Sequence, residues 1–289
     1  MRLLLAQLAP VPGELDRNLD RLREAVRAAP CDLAVFPELF LSGYRVGDRI
    51  HRLALRATDR SVNALREIAH ASGATVVVGA PVTSRERSGE VHNAALAVTP
   101  SGELLTQVKR YLPNFGPFEE GVPFTPTERS TPVVVPGATV GLEVCYDVFF
   151  PEVSRQLALG GAELIVAISA APVTSRRLFD RLLPARAIEN AVPVVYVNRV
   201  GVEDGIVFGG GSGGWDPRGE PIPSTAVPFF PAEPEESLVL LEVDPHEASH
   251  WRPFRPVLRD VAGRPGPAEA PPPEGRALSD RRSIPTRAL

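Results

Sequence analysis

The chain has 289 residues, 44% of them hydrophobic, which is enough for one large α/β domain with a sizeable core. Its 31 basic and 35 acidic residues give a net charge of −4 spread without long blocks, so no basic stripe points to nucleic acid and no polybasic patch to a lipid surface; a small neutral or anionic ligand fits better. Two cysteines cannot build a disulfide framework, and the opening MRLLLAQLAPVPGE is too briefly apolar for a signal peptide or membrane span, so the expected compartment is a reduced cytoplasm.

Short apolar, β-branched runs predict strands at 3–8, 33–36, 75–79, 94–98, 133–135, 139–144, 164–168, 194–197 and 238–243. After the first of them, LDRNLDRLREAVRAA sets Leu15, Leu19, Leu22, Val26 and Ala29 on one helical face. Further helices are expected at 61–72, 151–161 and 177–191, the last kinked or divided by Pro184. Alternating strands and helices imply sheets with helices packed on them. Composition changes only near residue 260, giving a folded domain over 1–260. The Pro-rich segment 261–289 is expected to be an extended or disordered tail that could lie over a neighbouring subunit.

Three strings carry candidate chemistry. Cys145 ends an apolar run in GLEVCYDVFFPE, just before a proline able to open a helix, so its thiol is expected at a strand-to-helix turn. A cysteine nucleophile needs a base for its proton and cationic or N–H donors for the charge that develops on the attacked carbonyl. Glu38, in LAVFPELFLSGY, can be the base; Lys109, in QVKRYLPNFGPFEE, and the backbone N–H of Tyr146 can face the oxyanion. Cys31 precedes a strand, shares no motif and reads as buried and inert. Glu143 lies two residues before Cys145 and reads as a strand-end charge paired with an arginine, or alternatively as a substrate contact.

Two motifs point elsewhere. His246, Glu247 and His250 form the H-E-x-x-H pattern that on a helix would offer two imidazoles to zinc, the hypothesis of a metalloprotease. Flanking Pro245 and Pro253 leave only about two helical turns there, and no third ligand is evident among the histidines at 51, 70 and 92. Gly209, Gly211 and Gly214 spell G-x-G-x-x-G, but Trp215-Asp216-Pro217 follows where a dinucleotide site needs a helix, so the stretch reads as a flexible loop.

Taken together, FPELFLSGY, KRYLPNFGPFEE, CYDVFFPE, RAIENAVPVVYVNRVG and SGGWDPRGE resemble, in order and spacing, the nitrilase or carbon–nitrogen hydrolase superfamily, from residue 3 to about 256. The resemblance implies an α/β fold, a four-layer α-β-β-α sandwich, assembled as a homodimer or larger homo-oligomer, with no cofactor. It implies hydrolysis of a non-peptide C–N bond through a thioester to Cys145, with Glu38 as base, Lys109 as oxyanion cation, and Glu120 positioning lysine and substrate. LPNFGPFEE is also similar to the glutaminase domains of NAD synthetases, where Tyr44, Phe115 and Phe118 fall at aromatic positions of the acyl pocket. Those domains usually carry glutamate after the nucleophile, where this chain has Tyr146, as amidase-like members do. Synthetase chemistry is not expected, since no ATP-using domain follows residue 256. The reading is an amidase releasing ammonia from a small carboxamide; an N-carbamoyl amino acid amidohydrolase and a glutaminase subunit feeding ammonia to a partner are the alternatives.

Overall fold

Both faces of the first strand, β1 (Arg2–Gln7), are apolar and buried, as a strand covered on two sides requires. Leu3 and Leu5 point to one hydrophobic cluster, Leu4 and Ala6 to another. The structure, a computed structural model, describes residues 1–84, 86–228 and 236–262. After β1 come α1 (Leu15–Ala28), β2 (Leu33–Val35), α2 (Ile50–Leu53), α3 (Arg60–Ser72), β3 (Thr75–Thr83), β4 (Val91–Val98) and β5 (Leu104–Val108). A second run follows: β6 (Val133–Val135), β7 (Ala138–Val144), α4 (Pro151–Leu159), β8 (Leu164–Ser169), α5 (Arg176–Asn190), β9 (Val194–Asn198), β10 (Val200–Glu203), β11 (Ile206–Gly209) and β12 (Gly213–Trp215). The chain then returns through β13 (Ser224–Pro228) and β14 (Ser237–Glu242) to α6 (Glu247–Trp251) and α7 (Val257–Ala262).

These strands make a seven-stranded sheet, ordered β13-β14-β1-β2-β3-β4-β5, a five-stranded sheet, ordered β12-β9-β8-β7-β6, and the separate hairpin β10-β11. The inner faces of the two sheets meet in one cluster, with Leu3, Leu33, Val35 and Val77 from the first and Leu142, Val144, Val166, Ile168 and Val197 from the second. The outer face of the first sheet is covered by α1 and α3 through Leu19, Leu22, Leu65 and Ile68. Phe179, Leu183 and Ala187 of α5 cover the second, beside Val153 and Leu157 of α4. Helix, sheet, sheet and helix stack as the expected four-layer α-β-β-α sandwich.

Some local expectations differ. The helix at Pro184 is not divided: α5 runs from Arg176 to Asn190 with the proline inside. Phe179, Leu183 and Ala187 lie on both sides of it and bury into one cluster, which offsets the backbone bond that proline cannot make. The glycine-rich stretch is not a free loop either. Gly211 and Ser212 donate their N–H groups to Gln7 Oε1 at 2.7 and 3.1 Å, and Gly213 and Gly214 already pair with β9. Of the expected tail, 261–289, the first two residues close α7 as helix, and 263–289 lie outside the described residues. No helix among the described residues is long and apolar enough to cross a membrane.

Candidate active site

Glu38 follows β2 in a tight turn that continues through Leu39, whose φ is 50°. The turn presses on β3 at Gly79, where a Cβ would lie 2.3 Å from Leu39 N and 2.5 Å from Glu38 Cα, so only glycine lets it close. The Glu38 carboxylate is fully buried. Its Oε1 accepts from Lys109 Nζ at 2.6 Å and Asn93 Nδ2 at 2.7 Å, and its Oε2 from Ala170 N at 2.9 Å.

Lys109 comes just after β5, its N–H held by the Asn93 carbonyl at 2.8 Å. Its ammonium lies between two carboxylates, Glu38 Oε1 at 2.6 Å and Glu120 Oε1 at 2.8 Å. Burial opposes the charge, but Glu120 and Glu38 outweigh it and hold the lysine above its ordinary value. Two of the three ammonium hydrogens are thereby committed, which leaves one to point elsewhere. Glu120, in the long connection from β5 to β6, is pushed up by burial despite Lys109, and it accepts a short hydrogen bond from the Tyr44 hydroxyl.

Cys145 leaves β7 with φ 50° and opens a 3-10 turn, Cys145–Phe149, before Pro151 starts α4, the strand-to-helix turn that the sequence suggests. The thiol is raised by burial and by Glu38, and drawn back down by Lys109. Asp147 ties this turn to the lysine: its carboxylate accepts from Val144 N at 3.2 Å, Arg110 N at 3.1 Å and Tyr111 N at 2.8 Å. Glu38 and Lys109 thus arrive from the first sheet and Cys145 from the second, across the seam between them. Asn93 and Asp147 went unmarked in the sequence. Their signal was a polar residue beside apolar ones, Asn93 within VHNAALAV and Asp147 two residues past the nucleophile.

The expected pocket aromatics form one edge-to-face series. Tyr44 meets Phe118 at 5.9 Å between centroids, Phe118 meets Phe115 at 6.1 Å, and Phe115 meets Tyr146 at 5.2 Å. Tyr146 continues it to Phe149 and Phe150. Phe115 is 53% exposed, so the series runs from the buried carboxylates out to solvent.

Two expectations are corrected or set aside. Glu143 is neither paired with an arginine nor directed at the pocket. Leu142 and Val144 face the core between the sheets, so Glu143 faces the helices, where it accepts from Ser154 Oγ. Arg186, whose charge favours the Glu143 carboxylate, is engaged by Val148 O and Glu189. In the HEASH segment, α6 is five residues long; Glu247 accepts from Trp251 Nε1, His250 packs on Trp251 and Phe254, and His246 lies 3.7 Å from Glu163. Among the described residues no three metal-binding side chains converge there or elsewhere. Cys31 is buried as expected, its thiol raised to about 11 by burial.

Comparison with known proteins agrees with this architecture. The family model described as carbon-nitrogen hydrolase matches residues 2–253. An (R)-stereoselective amidase from Pseudomonas sp. is 36% identical over 222 residues, 76% of this chain and 78% of that protein. The glutamine-dependent NAD(+) synthetase of Thermotoga maritima is 38% identical over 77% of this chain, which spans 39% of that protein. An amidase from Nesterenkonia sp. AN1, solved as a mutant in complex with butyramide, superposes with a TM-score of 0.73 at 30% identity, covering 88% of this chain and 95% of that one. With the family model spanning the sandwich and amidases alike in both sequence and fold, the chain belongs to the carbon–nitrogen hydrolase family of the nitrilase superfamily and is an enzyme acting on amides.

Proposed function

We propose that the protein hydrolyses a small carboxamide to its acid and ammonia through a thioester on Cys145. The observation that carries this reading is the Lys109 ammonium, buried between Glu38 and Glu120 beside the thiol, with one hydrogen still to give. Glu38 takes the thiol proton as sulfur attacks the amide carbon. The carbonyl oxygen, now an anion, is received by Lys109 and the N–H of Tyr146. Collapse breaks the C–N bond, and the nitrogen leaves as ammonia with the proton Glu38 had taken. Water then gives a proton to the same carboxylate, attacks the thioester, and the acid departs as the proton returns to sulfur. Glu120 keeps Lys109 charged and in place, with Tyr44 fixing Glu120 in turn.

The aromatic series supports the substrate class. Tyr44, Phe118, Phe115 and Tyr146 offer ring edges and faces, a lining that suits a short aliphatic or ω-amide better than the charged head of glutamine or a nitrile. A glutaminase role is the second reading, favoured by the likeness to NAD(+) synthetase. We further propose a cytoplasmic homo-oligomer, at least a dimer, which light scattering in solution would check by giving no less than twice the mass of one chain.

The test is the variant pair Cys145→Ala and Lys109→Ala, assayed by ammonia release from short amides, glutamine, carbamoyl amino acids and nitriles. Cys145→Ala should be inactive with its fold intact, and Lys109→Ala should lose at least about a hundredfold in kcat. Turnover in Cys145→Ala would end the thioester mechanism; glutamine as the fastest substrate would promote the second reading.

A further inference from the structure

Ser169, the last residue of β8, is fully buried, and its Oγ makes no well-formed hydrogen bond among the described residues. A buried hydroxyl without a well-formed hydrogen bond is costly, so the groups beside it are the place to look for its partner. β7 and β8 run parallel with Val144 opposite Ile168, which places the next residues of each strand, Cys145 and Ser169, side by side where the strands end. The groups that the Ser169 hydroxyl faces are the Cys145 sulfur, whose thiol it pulls down against burial and Glu38, and the Tyr196 phenol. The next residue, Ala170, donates its N–H to Glu38 Oε2 at 2.9 Å. The end of β8 therefore addresses the nucleophile and its base with consecutive residues.

We propose that Ser169 is a further catalytic residue, whose Oγ–H donates to the Cys145 sulfur once the thiol proton has passed to Glu38. The inference rests on Cys145 being the nucleophile. A neutral thiol is a poor acceptor and a thiolate a good one, so the bond forms as charge develops and stabilises the reacting state more than the resting one. The hydroxyl keeps its own proton throughout. It approaches the sulfur from the second sheet while Lys109 reaches over from the first. When water opens the thioester, sulfur departs with the same charge and meets the same donor, so acylation and deacylation both draw on it.

The experiment is the pH dependence of Cys145 alkylation by iodoacetamide, followed by mass spectrometry in the full-length protein, alongside kcat/KM. In Ser169→Ala the alkylation midpoint should rise by about half to one pH unit, with labelling at neutral pH slowed about three- to tenfold. Ser169→Gly should do the same, and Ser169→Thr, which keeps the hydroxyl, should recover the wild-type midpoint. Ser154→Ala is the control, since that buried hydroxyl is bonded to Glu143 instead and its loss should leave the profile unchanged. A folded Ser169→Ala or Ser169→Gly whose profile superimposes on wild type would overturn the proposal. Activity in Cys145→Ala would remove the nucleophile itself, a failure read in a separate assay.

Discussion

At the scale of single residues, Glu143 shows how burial sets a charge against the fold. It is buried with Ser154 as its hydrogen-bond donor and one oxygen unpartnered, and burial pushes its carboxyl up to about 7. An unfolded glutamate titrates near 4.3, so between about pH 4 and 7 the folded chain holds the extra proton, and stability falls as pH rises through that window. Glu143→Gln keeps the contact with Ser154 and removes the charge. It should therefore match wild type near pH 4 and melt at least about 5 °C higher at pH 8, by calorimetry across that range. A constant difference at every pH would mean that Glu143 is not the group that titrates. Glu143 also marks where sequence reading stops. Glu38, Lys109 and Cys145 could be identified because each carries chemistry in a recognisable string. Asn93, Asp147 and Ser169 are ordinary polar residues in a strand, a turn and a strand end, and only the fold brings them to that chemistry.

Among the elements, β3 has the most specific demand, a glycine where the turn bearing Glu38 lies against it. Gly79→Ala would put a methyl into Leu39 N and Glu38 Cα, both backbone atoms that cannot swing aside. Displacing the base by even an ångström should lower kcat about a hundredfold and lower Tm as well. Gly213→Ala, with nothing within 4 Å of the added carbon, should change neither, and an active Gly79→Ala would show that the turn can yield. The nine expected strands are present because each carries a β-branched, largely apolar run, most of them buried on both faces. β5 was missed because LLTQV is an edge strand, half-polar and mostly partly exposed. β10 to β13 were missed because they are short, contain glycine or lie at edges, where neither periodicity nor a long apolar run is needed.

Across the whole molecule the site depends on the two halves staying in register, and the β10-β11 hairpin is one of the ties. Glu203 accepts from the N–H groups of Tyr44 and Arg45 at 2.9 and 2.7 Å, and pairs with Arg199, whose guanidinium lies 4.0 Å over the Phe208 ring. Both partners are buried, so Glu203→Gln would strand the arginine without its counter-charge. It should lower Tm by at least about 5 °C and raise KM as the Tyr44 wall loosens. Adding Arg199→Met should return much of the stability and leave KM raised. Recovery of both together would mean that the pair supports the fold but not the pocket.

The φ of 50° at Cys145 has a use that opposes the fold's own preference. That backbone region suits glycine, and a side-chained residue there is held at a cost of about 1–2 kcal/mol. Glycine at position 145 would relieve that backbone cost, against the loss of the side chain's packing on the two clusters it touches. The nucleophile is thus held in a conformation its own backbone disfavours, which aims the thiol from the strand end at the cost of local strain.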